Sequence, residues 1–195
     1  MYTHEGKQYA RVTEILAELS DFSSIPTEVI QHKGLIGTWT HLAIDDEIHG
    51  RYPYIPIELR REVEPYFYSF LRWRDRLNIK FIETSKRYYN DEIMVTGELD
   101  ALIMYEGNEL PTLIDYKTSA SENPISWPRQ AHFYHYLIEA HGKKVRPAFC
   151  FIKLSKTGSL PKVIEYKYDE KIRKECLERA KRFWENLSID NNHEA

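Results

Sequence analysis

Asp100, Asp115 and Lys117 are the residues of this chain whose types and spacing most directly suggest chemistry. Between the two aspartates lies one reversal, Glu106-Gly107-Asn108-Glu109, flanked by apolar runs. Gly and Asn both tolerate positive φ, so the pair is a hairpin signal. A turn centred on Gly107 and Asn108 sets Asp100 opposite Asp115, Glu98 opposite Lys117, and Ala101 opposite Ile114. Opposed side chains share a face, with Cβ atoms roughly 4.5–5.5 Å apart. Two carboxylates so placed repel, and a fold keeps them there only with something positive between them. A divalent cation held by both meets that need. Lys117, next but one after Asp115, projects from the same strand face.

Carboxylate oxygens suit Mg²⁺ or Mn²⁺, hard cations that prefer oxygen ligands. A lysine beside such an ion can hold an attacking water and offset charge developing on a phosphate. An Asp-x-Lys triplet alone fits an exposed hairpin with an ordinary ion pair equally well, so the opposed Asp100 carries the weight. Three other stretches add to it. Gly97-Glu98-Leu99-Asp100 lies upstream, and Gln130-Ala131-His132-Phe133-Tyr134 follows the triplet. Gln130 and Tyr134 are four apart and share a helix face. Near the start, Gly37-Thr38-Trp39-Thr40-His41 places a histidine in a helical stretch after a glycine.

In this order the set resembles the RecB/Cas4-like exonuclease branch of the PD-(D/E)xK nuclease superfamily, over about residues 34–140. The resemblance implies a metal-dependent deoxyribonuclease, an exonuclease acting on DNA ends or single strands in recombination, repair or related processing. It implies that His41, Asp100 and Asp115 bind one or two Mg²⁺ or Mn²⁺ ions together with the backbone carbonyl of Tyr116. Lys117 is then the catalytic lysine, and Gln130 and Tyr134 support the site and the DNA strand. A nitrogen ligand such as His41 favours Mn²⁺ over Mg²⁺. The rival readings are a structure-specific endonuclease or a ribonuclease on the same core, and a non-catalytic nucleic-acid-binding module.

The chain also departs from that pattern. Cas4-type members carry four cysteines for an iron–sulfur cluster; here there are two, Cys150 and Cys176, both in stretches that suit buried small hydrophobes, so no cluster is expected. No Gly-x-x-x-x-Gly-Lys-Ser/Thr loop is present, which argues against an ATP-driven motor. Glu98 is expected to face Lys117 and to pair with it or join the metal shell. Glu83 joins the same face if the preceding turn centres on Asn90-Asp91. His132 and His135 are assigned to a solvated helix face, and Trp127 to packing.

The elements that must position these residues follow from periodicity. Residues 11–19 read as a short helix, and a second helical region opens at Pro26, breaks near Gly34 and Gly37, and runs through His41 to Ile48. Residues 57–77 read as a long helix kinked at Pro65, or as two pieces. Residues 81–89, 93–105 and 110–117 form a three-stranded meander, and a helix over 126–141 ends at Gly142. Strands over 145–154 and 160–168 and a helix over 169–187 complete the chain. The expected fold is α/β, a mixed central sheet flanked by helices; the resemblance implies a restriction-endonuclease-like αβββαβ core, with the catalytic part over 79–187. A helical part over 1–78 precedes it and a frayed tail over 188–195 follows, all in one domain of 195 residues.

Composition is that of a soluble globular protein, 42% hydrophobic and 29% charged, and no apolar run approaches a membrane span. Residues 1–7 lack the basic start and apolar stretch of a secretion signal, so a cytoplasmic location is expected. A net charge of −3 and a pI near 6.3 exclude gripping nucleic acid by bulk charge. A nuclease of this composition must gather its basic groups locally and rely on a cation.

Overall fold

The computed structural model describes residues 1–20 and 23–193. Strands β1 (Tyr2–His4) and β2 (Lys7–Arg11) form a hairpin that leads into α1 (Val12–Ile15) and a 3₁₀ turn (Ala17–Leu19). Two long helices follow, α2 (Thr27–Ile48) and α3 (Arg60–Arg74). Then come β3 (Ile79–Asn90), β4 (Val95–Tyr105), β5 (Thr112–Lys117), α4 (Ser126–Ala140), β6 (Ala148–Lys153), β7 (Lys162–Lys167) and α5 (Glu170–His193).

The strands make one mixed sheet in the order β1-β2-β4-β5-β6-β7, with β3 paired along β4. β3 and β4 are antiparallel, as are β4 and β5, so the expected meander is present. β6 runs parallel to β5 and β7 antiparallel to β6. The N-terminal hairpin is not among the expected elements: β2 pairs in parallel with β4 through Ala10 and Arg11 against Val95 and Thr96. β3 occupies one edge of β4, so β2 and β5 share the other. Between their registers, residues 97–100 of β4 face no strand on that edge.

Helices cover both faces, and strand alternation decides which residues meet them. Leu113, Phe149 and Phe151 pack with Trp127, Ala131 and Leu137 of α4 on one side. Ile114, Tyr116, Cys150 and Ile152 pack with Ala43 and Ile44 of α2 and Phe67, Phe70 and Trp73 of α3 on the other. Asp115 belongs to the α4 side and is the one charged residue among the buried positions of β5.

Several helix boundaries differ from expectation. α2 is continuous through Gly34 and Gly37, since burial of Ile36, Thr40, Ala43 and Ile44 outweighs the roughly 1 kcal/mol cost of each glycine. α3 also accommodates Pro65 without a break. α4 starts where the Asn123 side chain accepts the N–H groups of Ile125 and Ser126, and Pro128 falls in the first turn, where a missing N–H costs least. Gly142, at φ +72, follows its end. α5 continues to His193, past the Leu187 boundary, because no Gly or Pro stops it; residues 194 and 195 lie outside the described residues. No helix among the described residues is long and apolar enough to cross a membrane.

Candidate active site

The site forms where β4 and β5 part. Their register runs Ile103↔Thr112, Leu102↔Leu113, Ala101↔Ile114. Continued one step, it sets Asp100 against Asp115, the pairing expected from a turn centred at Gly107-Asn108. The connection itself is longer than a tight hairpin, spanning residues 106–111. At the parting point a side chain replaces the backbone ladder: Asp100 Oδ2 accepts the Tyr116 N–H at 2.6 Å. The N–H and C=O of a strand residue share one edge, so the Tyr116 carbonyl is directed to the same gap. Asp100 Oδ1 lies 3.1 Å from His41 Nδ1, and the His41 ring meets the Tyr116 ring edge-on at 6.0 Å.

Beneath this pair, Asp115 is only 5% exposed. Lys117 Nζ lies 2.6 Å from Asp115 Oδ2. The Gln130 amide ties the two together. Its Oε1 accepts from Lys117 Nζ at 2.8 Å, and its Nε2 donates to Asp115 Oδ1 and to the Tyr134 hydroxyl, each at 3.0 Å. An ammonium can only donate and a carboxylate can only accept, so the two partners fix the amide's orientation. The Lys117 ammonium also sits over the rings of Phe151 and Trp127, at 5.3 and 5.7 Å. Tyr134 in turn rests on Gly97, where any β-carbon would meet its ring.

The charges act on one another. Burial raises the Asp115 pKa to about 6; Lys117 works against the rise and the nearby charge of Asp100 adds to it. Burial also works to raise Asp100, but the charge and hydrogen bond of His41, the charge of Lys117 and the Tyr116 N–H outweigh it, so Asp100 stays below the ordinary carboxyl value. Burial works to lower His41, yet Asp100 and Asp115 hold it above an ordinary imidazole. One proton is thus favoured on the His41–Asp100 pair while Asp115 resists ionisation.

One face of α2 borders the cleft at intervals of four residues. Gly37 approaches Thr118, where an added β-carbon would lie 3.4 Å from its hydroxyl; His41 meets Asp100; Asp45 accepts from the Ser85 hydroxyl at 2.9 Å. Ser85, at φ +47, lies across from Asp100 in the β3–β4 register. Sequence reasoning passes over Ser85 and Asp45, although the Gly37–His41–Asp45 spacing marks a single helix face. Together these elements enclose an open cleft of about 480 Å³ lined by His41, Ser85, Glu98, Asp100, Lys117 and Thr118.

The other sequence-derived residues fall as follows. Glu98 lines the cleft but pairs with Arg87 instead of Lys117, because β4 and β5 no longer pair at that level. Glu83 does not line the cleft; it binds Lys143 and Tyr88. The β3–β4 connection spans residues 91–94, which centres the reversal two residues beyond Asn90-Asp91, so Glu83 pairs with Leu102 instead of Glu98. Gln130 and Tyr134 are 8% and 5% exposed and support the acidic and basic groups from behind, out of reach of a strand in the cleft. His132 and His135 are buried, not solvated; His132 donates to the Pro128 carbonyl and accepts the Asp169 N–H, as a neutral ring can. Trp127 is packed against Phe151, as expected.

The donors here fit a divalent cation in kind: two carboxylates, a strand carbonyl and an imidazole. Asp115 Oδ2 is buried and its one close partner is the Lys117 ammonium at 2.6 Å, so a cation there would exchange with the lysine. As placed, the acidic oxygens are engaged by His41, Tyr116 and Lys117. Among the described residues no three His, Cys, Asp or Glu side chains converge as a ready-made cage. Cation binding at this point requires His41 and Lys117 to turn from the carboxylates.

A family model described as the PD-(D/E)XK nuclease superfamily matches residues 10–194. No curated protein matches the chain by sequence. Among solved structures, an alkaline exonuclease from Laribacter hongkongensis superposes with a TM-score of 0.55 at 10% identity, over 95% of this chain and 90% of that one. The same protein in complex with dAMP gives 0.54, at the same identity and coverage. A candidate exonuclease from Eubacterium rectale gives 0.57 at 10% identity, over 100% of this chain and 88% of that one. At such identities the likeness is one of fold.

Proposed function

Since the chain belongs to the PD-(D/E)XK nuclease superfamily, whose members generally use divalent metal ions, we propose that it is an Mg²⁺- or Mn²⁺-dependent deoxyribonuclease of the RecB/Cas4-like branch. In this reading it is one catalytic domain, acting on single strands or DNA ends during recombination, repair or processing. The observation that carries the reading is the Gln130 amide, which holds Lys117 and Asp115 together beneath a cleft that Asp100 and His41 enter from the other side. An apolar residue at 130 would leave the buried Asp115 and Lys117 without these bonds, so the glutamine serves the charged pair and not the packing.

Asp100, Asp115, His41 and the Tyr116 carbonyl would hold the cation. When bound, the ion supplies polarisation of the phosphoryl oxygen and an acidified water. Lys117, fixed by Gln130, orients the water that attacks phosphorus and offsets charge on the phosphoryl oxygens in the transition state. With the cation bound, Lys117 would turn from Asp115 and keep its bond to Gln130 Oε1, while Gln130 Nε2 and Tyr134 would hold Asp115 in place.

Digestion of 5′- and 3′-labelled single- and double-stranded DNA, closed circles and RNA, with Mn²⁺, Mg²⁺ or chelator, tests this. Cleavage of linear DNA from an end, dependent on metal and absent from Lys117→Ala, is the expected result. Metal-independent cleavage, or full activity in Lys117→Ala, would falsify the mechanism.

A further inference from the structure

Lys117, Lys153 and Lys162 stand side by side on three adjacent strands. Lys117 is the register partner of Lys153, and Lys153 of Lys162. Register partners project from the same face, so the three ammonium-bearing stems form a row roughly 10 Å long, twice the spacing of neighbouring strands. Like charges directly across a sheet destabilise it. Two of the three are offset: Lys117 by Asp115, and Lys162 by Glu122 at 2.6 Å. Lys153 and the nearby Lys156 have no ion pair among the described residues, and Glu122 feels Lys153 only through space.

These two lysines line a second cavity of about 320 Å³, together with Ser119, Ser155, Lys162 and Tyr66. It adjoins the cleft, because Ser119 lines both. A chain with net negative charge has thus gathered unpaired positive charge in a hollow next to its candidate catalytic lysine. The Ser119 and Ser155 hydroxyls at its wall are bonded within their own loops, to the Ser121 carbonyl and to Thr157 and Ser159, so the two lysines carry the site's affinity for a tetrahedral oxyanion.

We propose that Lys153 and Lys156 form a phosphate-binding subsite that holds the nucleic-acid strand at a phosphate neighbouring the one cleaved. The strand would cross the sheet edge from β5 over β6 toward β7. Cleavage at the neighbouring phosphate rests on the nuclease reading above; the phosphate chemistry of the subsite does not.

Fluorescence anisotropy with a labelled single-stranded oligonucleotide, in chelator and across a salt series, reads the subsite without any catalysis. The Lys153→Gln/Lys156→Gln double variant should bind about tenfold more weakly, with a log-affinity against log-salt slope shallower by about 0.7 for each phosphate no longer neutralised. Lys153→Arg/Lys156→Arg should retain both affinity and slope. Weakening that persists on a closed circular strand assigns the subsite to an internal phosphodiester. Weakening confined to phosphoryl-ended strands assigns it to a terminal phosphate. Unchanged affinity and slope on every probe, or no binding by the unaltered chain, overturns the proposal. Failure of the nuclease reading looks different: no hydrolysis with Mn²⁺ by the unaltered chain, while the double variant still binds more weakly.

Discussion

The Tyr134 ring lies on Gly97 so closely that a β-carbon at position 97 would come within 2.5 Å of its Cε1. The Tyr134 hydroxyl accepts from Gln130, and Gln130 holds Lys117 and Asp115. A glycine on β4 therefore sets how deeply α4 seats, and α4 sets where the acid and the base stand. The Gly-x-x-Asp stretch thus joins two tasks on one strand: close helix approach at Gly97 and cleft chemistry at Asp100.

Gly97→Ala is expected to destabilise the protein by about 2–3 kcal/mol, the range for overpacking a filled site. The ring it meets is buried and bonded at its far end, so it cannot simply swing away. Shortening the partner in Gly97→Ala/Tyr134→Ala should recover part of the stability. Urea denaturation of both single variants and the double closes the cycle, and additive effects would show that the two residues do not touch.

Gln130→Ala is expected to leave the fold intact while freeing Lys117 and Asp115 from a shared tether. Loss of positioning on this scale costs about 10²-fold in rate. The expected signature is a fall in kcat with KM little changed, since Gln130 is buried and does not meet the strand. Gln130→Glu should be worse, because it removes the donor to Asp115 and adds a like charge beside it. A rise in KM with kcat preserved would count against a positioning role.

The β4–β5 register is readable from sequence because Gly107-Asn108 is the centre of symmetry of the reversal, and the longer loop leaves that centre unmoved. The β3–β4 register is not, because the connection at residues 91–94 centres the reversal two residues beyond Asn90-Asp91, a displacement that no residue type announces. That is why Asp100 and Asp115 fall where their spacing places them while Glu83 does not. The short N-terminal strands are hidden for another reason: in Lys7–Arg11 the two buried residues, Tyr9 and Ala10, are adjacent, so no alternation marks a strand, and its partner on β4 is far away in sequence. Burial of His132 and His135 is likewise set by α5 and β7 closing over α4, which helical periodicity of α4 alone cannot supply.

Asp100 carries a structural role beside its chemical one, and two substitutions separate them. Asp100→Ala removes the acceptor for the Tyr116 N–H and should cost about 1–3 kcal/mol of stability, as for a buried donor left unpaired. Asp100→Asn keeps an oxygen that can accept the same N–H and should retain most of the stability. Both should lose metal-dependent cleavage. Matched thermal melts and digestion assays test the pair; equal melting of the two variants would show that the bond to Tyr116 contributes nothing to stability.

Metal removal and pH act on the same groups. Burial raises the Asp115 pKa to about 6 in the folded chain, against 3.8 as the ordinary value. A carboxyl held above its unfolded value binds its proton more tightly when folded. Its contribution to stability is full below pH ~4 and is lost as pH rises through ~6. His41, also raised, acts in the same direction. In chelator, stability relative to Asp115→Asn should therefore fall as pH increases from about 4 to just above 6. A cation that binds the ionised carboxylates offsets this fall, so Mn²⁺ should raise the melting temperature more near pH ~7.5 than near pH ~5.5. At roughly a hundredfold excess over Kd the gain is about 2.7 kcal/mol, or roughly 5–10 °C for a chain of this length. Differential scanning fluorimetry of the unaltered chain and Asp115→Asn over that pH range checks it. A Mn²⁺ shift of the same size in Asp115→Asn would place the ion somewhere other than between the two aspartates.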